Sequence, residues 1–292
     1  MAMRILLGKR RRIVFVGMMC AALGVGSTLA IQVAQASTAP TPPKVEAHPS
    51  PTMHATSPSG LAQPNTTATN AQCGELVKAS LTLNGNLFCS GDGLTVSGSS
   101  VVLNLNGFQI SGGGPSSGTG VRVIGKTETV ENGQIVNFQF GVVDTGTTDN
   151  VTKLRVSYDY FGIEEYGTGN KLTSNEVFSN QGSGILAFGT STVLTTNRVT
   201  TNDLSGVSYA GLEVGGTKDT LTGNLVTNTR AAPGIYDVAF NSTLTNNVAN
   251  FNQEDGIAVY DADVIDGGGN LAKGNDISTP TSPTECYNIV CN

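Results

Sequence analysis

The chain has 292 residues, of which 13% are charged, with 16 Lys and Arg against 22 Asp and Glu. A formal net charge of −6 with no basic stripe argues against nucleic acid and anionic membrane surfaces as partners. The composition of 37 glycines, no tryptophan and two histidines leaves little room for histidine-dependent chemistry.

Residues 1–36 read as an export signal. Lys9, Arg10, Arg11 and Arg12 form a basic start, an almost uncharged apolar run follows, and Ala34-Gln35-Ala36 offers a small-x-small cleavage site. The run is also long enough to cross a bilayer uncleaved, so cleavage and N-terminal anchoring both stay open. Residues 37–72 are dominated by Pro, Thr, Ser and Ala, and such a stretch buries too little apolar surface to offset its ordering entropy. A disordered or stalk-like linker is expected there. It holds both histidines, His48 and His54, so a Ser-His-Asp triad is excluded from the residues beyond it.

Residues 73–292 form the expected folded domain. Setting aside six Lys and Arg and one Glu that precede it leaves 10 cationic residues against 21 acidic ones, a net charge of −11. Cation binding and neutral glycans are both compatible with that surface. The domain's cysteines are Cys73, Cys89, Cys286 and Cys291, two near each end. An even number in an exported chain favours disulfides over a metal site. The simplest pairing is Cys73 with Cys89 and Cys286 with Cys291.

The middle of the domain is periodic. Glycine followed by an aliphatic residue recurs at Gly120, Gly141, Gly162, Gly184, Gly211, Gly234 and Gly256, at intervals of 21, 21, 22, 27, 23 and 22. A Leu-Thr-x-Asn series begins at Leu172, Leu194, Leu221 and Leu244, at intervals of 22, 27 and 23. Both series stretch at the same place, so one unit carries about five extra residues around positions 203–210. Self-similarity at this period marks a solenoid. Alternating aliphatics and frequent Gly and Asn fit three short strands and three turns per unit. The expected fold is therefore all-β: a single-stranded right-handed parallel β-helix of about nine coils, capped at both ends. At about 4.8 Å per coil the rod is roughly 40 Å long.

In this arrangement the aliphatics after glycine stack inside. Asn175, Asn197, Asn224, Asn247 and Asn270 stack at a turn, where asparagine tolerates the left-handed conformation and its amide bonds along the ladder. Residues 73–89 and 279–292 are the expected caps, with a short helix around residues 71–80 as the N-terminal plug.

Residues 81–275 resemble the right-handed parallel β-helix proteins of the pectate-lyase-like superfamily. The resemblance rests on the two repeat series, on the opening Val102-Leu103-Asn104-Leu105-Asn106-Gly107, and on the ending Gly268-Gly269-Asn270 through Cys286 and Cys291. It implies a fold shared by polysaccharide-active enzymes and by non-enzymatic surface proteins, and little about activity. The Asp-Pro-His-Asp motif of epimerase-like members is absent. So are the Asn-Thr-Asp and Gly-His-Gly motifs of polygalacturonase-like members.

Acidic and aromatic residues remain as candidates. Counted from each repeat glycine, position two carries Glu164 and Glu213, while position three carries Asp144, Glu165 and Asp237. Tyr166, Phe188, Tyr236, Tyr260 and Asp261 lie nearby. Stacked coils place these on one side of the rod as an outward stripe. Its plainest explanation is a solvated face; the alternatives are a glycan-binding surface and a catalytic carboxylate pair. Glu164, Glu165, Glu213 and Asp237 are the catalytic candidates, and Tyr166, Phe188, Tyr236, Tyr260 and Asp261 the ligand-binding ones. Arg155, Glu176 and Arg198 should stack as an exposed charge ladder. Asp261, Asp263 and Asp266 depart from the spacing of a calcium loop and lack its closing Glu, leaving structural calcium as the one conceivable cofactor and no metal ligand assigned. The leading expectation is a non-enzymatic secreted or cell-surface module contacting polysaccharide or other surface material. The runner-up is a polysaccharide lyase or glycoside hydrolase using acidic residues on one face.

Overall fold

The computed structural model describes residues 70–261, 263–276 and 285–292. The signal, the linker up to residue 69 with both histidines, and residues 279–284 of the C-terminal cap lie outside the described residues.

Every strand pairs in parallel with its equivalent one coil away, and three strand faces run the length of the stack. The first face is built from Glu75–Val77, Leu94–Val96, Thr119–Val123, Phe140–Asp144, Phe161–Glu165, Ile185–Ala187, Leu212–Val214, Ile235–Asp237, Ile257–Val259 and Cys286–Tyr287. Nine coils are complete, and Cys286–Tyr287 adds a final rung. The second face includes Lys171–Thr173, Val193–Thr195 and Thr220–Thr222; the third includes Glu176–Phe178, Arg198–Thr200 and Leu225–Thr227. In two coils these faces fuse into the single strands Thr129–Val136 and Asn150–Ser157. The bends there fall at Asn132 and Lys153, whose φ values are 59° and 53°.

Side chains alternate across a strand, so each face turns one set of residues inward. The central coils each contribute an aliphatic residue from each face, as with Ile163, Leu172 and Val177, or Leu212, Leu221 and Val226. All six are fully buried. Each such side chain contributes about 1.5–3 kcal/mol by leaving water. The column after the repeat glycines is this core seen from the first face.

Polar ladders occupy all three corners. At the corner between the second and third faces, Asn175, Asn197, Asn224, Asn247 and Asn270 are buried. Each Oδ1 accepts the backbone N–H of the preceding coil's asparagine, as from Asn175 to Asn197 at 3.0 Å. The first four amides also donate to the next asparagine, and all five to a valine or leucine carbonyl one coil back, as Asn224 does to Asn247 and Leu194. The left-handed residue is not the asparagine but the one before it: Ser174, Thr196, Gly223, Asn246 and Gly269 have φ between 53° and 71°. Bending one residue early turns the asparagine inward, where it replaces solvent for the buried corner backbone.

The corner before the first face carries Asp159, Asn180 and Asn202, then Thr229, Asn252 and Asn275, bonded coil to coil in the same sense within each of these two runs. This ladder explains the glycine repeat. A Cβ at Gly162, Gly184, Gly234 or Gly256 would run into the amide of Asn180, Asn202, Asn252 or Asn275. These glycines are present for close approach rather than for an unusual φ. The corner after the first face carries Glu128, Asp149, Asn170, Thr192, Asp219 and Ser242, linked in part by the same backbone-to-side-chain bonds. A second glycine column at 125, 146, 167 and 216 packs against it.

Because each amide donates one of its protons forward to the next coil, the last asparagine of each ladder meets an acceptor other than asparagine. Asp266 accepts from Asn270 at 3.1 Å, and Glu285 accepts from Asn275 at 2.7 Å. Glu285 thereby forms part of the C-terminal cap, which also rests on the Cys286–Cys291 disulfide. At the other end Cys73 bonds Cys89 with a Cα separation of 5.6 Å. The expected pairing holds at both ends. The expected N-terminal helix does not form. Gly74 takes φ 76° and Glu75–Val77 is a strand that pairs directly with Leu94–Val96, continuing the first face to its end. Ala71 is already buried, and Asn70 bonds Asn84 and the carbonyl of Thr82.

Candidate functional site

The alternation that builds the core also divides the acidic candidates. Position three after each repeat glycine points inward, so Asp144, Glu165 and Asp237 are fully buried and do not join an outer stripe. Adjacent residues on one strand cannot share a face. Glu165 accepts from the Gly167 N–H at 2.7 Å, the Asn170 amide at 3.0 Å and the Thr192 hydroxyl at 2.6 Å. Asp237 accepts from the Ala239 N–H at 2.8 Å and the Ser242 hydroxyl at 2.6 Å. Both close the turn between the first and second faces, a structural duty. Asp144 is held by the Gly146 N–H, and its Oδ2 and that of Asp149 are buried without another partner. Burial, followed by neighbouring carboxylates, pushes Asp144 up to about 8, and burial pushes Asp149 up to about 6. A proton on Asp144 directed at Asp149 would give both orphaned oxygens a partner.

Position two points outward. Its row along the first face reads Arg122, Val143, Glu164, Leu186, Glu213, Tyr236, Ala258 and Tyr287. Glu164 and Glu213 sit on one line two rungs apart, about 10 Å between backbone positions. Glu164 is only 7% exposed because Tyr166 covers it and donates to its Oε2 at 3.1 Å. Burial raises the carboxyls of Glu164 and Glu213, with Arg122 partly offsetting the rise at Glu164. The Tyr166 hydroxyl is raised by burial and by both carboxylates, which brings all three groups into one electrostatic neighbourhood.

Tyr166 and Phe188 stack with ring centres 6.4 Å apart along the edge where the chain leaves the first face, each more than a third exposed. Gly215 leaves room for the Phe188 ring in the next coil. Tyr236 and Tyr260 form a separate group nearer the C-terminal end, joined there by Tyr287 at 5.0 Å from Tyr260. Asp261 lies at the edge of this group and accepts the Asp263 N–H in a turn. Asp266 is engaged by Gly268, Asn270 and Val290. Among the described residues no group of three or more His, Cys, Asp or Glu has metal-holding geometry.

Sequence reasoning missed a further aromatic cluster at the opposite edge, where the chain enters the first face. Phe140 and Phe161 stack at 6.0 Å, and Tyr209 meets Phe161 edge-on at 5.2 Å beside Tyr160. Phe140 and Phe161 directly precede repeat glycines, a signal that was available. Tyr209 belongs to the extra residues at 203–210, which no period could align. The charge ladder formed as expected: Glu176 reaches Arg155 at 3.3 Å and Arg198 at 3.9 Å, with Arg155 over the Phe178 ring. All three charged groups are well exposed, so the pairs contribute little.

Comparison with known proteins agrees with this architecture. The family model of the right handed beta helix region matches residues 140–282. No curated protein matches the chain. Among solved structures, the enzymatically active domain of tailspike protein 2 from bacteriophage CBA120 is similar at 12% identity and a TM-score of 0.52. The match covers 73% of this chain and 38% of that one. The full-length tailspike protein 2, from an Escherichia coli O157:H7 bacteriophage, matches with the same identity and TM-score over 34% of its chain. Pectate lyase Pel9A is 13% identical, with a TM-score of 0.44 and coverage of 74% and 70%. This chain thus spans little more than a third of the tailspikes, and the likeness is one of fold. With nine parallel coils, three strand faces and the family model matching residues 140–282, the described chain is a right-handed parallel β-helix.

Proposed function

We propose that the outer row of the first face is a glycan-contacting surface and that the domain works outside the cytoplasm as a binding module. The observation that carries this reading is the juxtaposition of Glu164 and Glu213 with the exposed Tyr166–Phe188 pair on one line of the rod. Flat aromatic faces suit sugar rings, and beside them the partly exposed Glu213 and the Tyr166 hydroxyl over Glu164 suit sugar hydroxyls. The domain's net charge of −11 favours neutral glycans over polyuronates. Two disulfides fit an oxidising compartment, in keeping with the export signal read from the sequence.

Incubating the full-length protein with a glycan array tests the reading. Binding to at least one glycan, lost in Tyr166→Ala and Phe188→Ala without loss of folding, supports it. Absence of binding to any glycan overturns it.

One observation favours a second reading, hydrolysis. The backbone positions of Glu164 and Glu213 lie two rungs, about 10 Å, apart on one row, within which two carboxyls can reach the roughly 6.5–9.5 Å separation of an inverting pair, and burial raises both. A carboxyl held protonated is the general acid such a reaction needs. Product release from a bound glycan that disappears in Glu213→Ala would move the protein from binder to hydrolase.

A further inference from the structure

The extra residues between the sixth and seventh coils are an ordered loop, and they deepen the reading just given. Asp203 is fully buried with φ 58°. Its carboxylate accepts the N–H groups of Val207 and Ser208, both at 3.2 Å, and the Ser205 hydroxyl at 3.4 Å. Ser205 is tied to the carbonyl of Gln181 one coil below by its own N–H and its hydroxyl, at 3.0 and 2.7 Å. The loop is therefore wound around one carboxylate and fastened to the coil beneath it. Its last aromatic, Tyr209, is half-buried against Tyr160 and Phe161.

This places aromatic groups along both edges of the same row. Tyr209 precedes the strand Leu212–Val214 that carries Glu213, and Phe161 stands at the start of the strand that Tyr166 follows, about 16 Å away. Glu164, Leu186 and Glu213 lie between them. The Tyr209 hydroxyl is raised by burial first, then by Tyr160, with Asp203 and Glu213 adding to the rise, while Glu213 also acts on Tyr166 from the other edge. Glu213 lies on the row between the two edges, one rung from Leu186 and two from Glu164. A uniform 22-residue coil at this place would leave one edge of the row without Tyr209.

We infer that the 203–210 loop is a specificity element: it holds Tyr209 as the second wall of a cleft over Glu164 and Glu213 that accepts a neutral glycan. Asp203 is a positioning residue, acting through the loop it winds. The inference rests on the glycan-contacting reading of the same face, and the experiment separates the two.

Affinity electrophoresis of the full-length protein through gels containing dextran, galactomannan, xylan or polygalacturonate measures retention directly. Wild type, Tyr166→Ala, Tyr209→Ala, Tyr209→Phe and Asp203→Asn are compared, with circular dichroism melts confirming folding. Binding of a neutral polysaccharide should weaken about 3- to 10-fold in Tyr209→Ala, the range expected for one lost aromatic contact, and recover in Tyr209→Phe. Asp203→Asn should weaken binding and shift the order of preference among the neutral probes. Should Tyr209→Ala bind as wild type while Tyr166→Ala is weakened, the loop's role is overturned and the face stands. Retention by polygalacturonate alone overturns the ligand class. Failure of every probe to retard the wild type overturns the face and the loop's role with it.

Discussion

Glu164 and Glu165 are adjacent in sequence and belong to different molecules in physical terms. Glu164 lies on the outside of the first face under Tyr166, with Arg122 within electrostatic reach. Glu165 lies inside the coil, where three donors fix its oxygens. The same contrast recurs between Glu213 outside and Asp237 inside. Inward carboxylates in this rod act as turn-closing acceptors, whereas the outward Glu164 and Glu213 lie on the surface row, Glu164 beneath the Tyr166 hydroxyl. A strand that alternates strictly can therefore carry structural and functional acids in adjacent positions, and residue type alone does not separate them.

The sharpest way to break the comparison is to crowd the interior. Gly162→Ala places a methyl against the Asn180 amide, Val177 and the carbonyl of Gly184, and should destabilise by about 3 kcal/mol or more, read as a lowered denaturation midpoint. Glu165→Ala leaves the Thr192 hydroxyl, the Asn170 amide and the Gly167 N–H short of an acceptor. It should cost about 2–3 kcal/mol, whereas Glu164→Ala, which removes one hydrogen bond from an exposed tyrosine, should cost about 1 kcal/mol while weakening glycan binding. Equal destabilisation by the two would erase the distinction between inside and outside.

A pH series probes the interior pair. Asp144 and Asp149 are raised from the ordinary carboxyl value to about 8 and about 6, so the native state binds more protons than the unfolded chain between those limits. Their contribution is fully present below the ordinary carboxyl value and is lost as pH rises through about 6 to 8. Melting temperature should fall across that window. Asp144→Asn, whose amide can donate to Asp149 at any pH, should flatten the fall; an unchanged slope would show that the pair does not share a proton. The smallest effect belongs to the exposed ladder: Glu176→Gln should change stability by less than about 0.5 kcal/mol, by urea denaturation.

Much of the fold was legible because a solenoid repeats its constraints. The glycine-aliphatic and Leu-Thr-x-Asn series share one insertion, and that alone located the coils, the core column and the asparagine ladder. The Cys73–Cys89 and Cys286–Cys291 pairs followed from their placement at the ends. The plug around residues 71–80 was misread because Ala71, Glu75 and Leu76 favour helix locally, while pairing with Leu94–Val96 decides the outcome in three dimensions. The site was half legible. Tyr166, Phe188, Glu164 and Glu213 do come together, but Glu165 and Asp237 were placed on the wrong side of the strand.

What the sequence determined by itself is the period, since every coil must bury the same positions and turn at the same places. It also determined which residue types are spent on scaffold. Only the tertiary structure decided which face each acid occupies, why the repeat glycines are needed, and where the loop of residues 203–210 sets Tyr209. Those answers depend on contacts between residues one coil apart, some 21 to 27 positions along the chain, and on a non-repeating insertion that no periodicity can register.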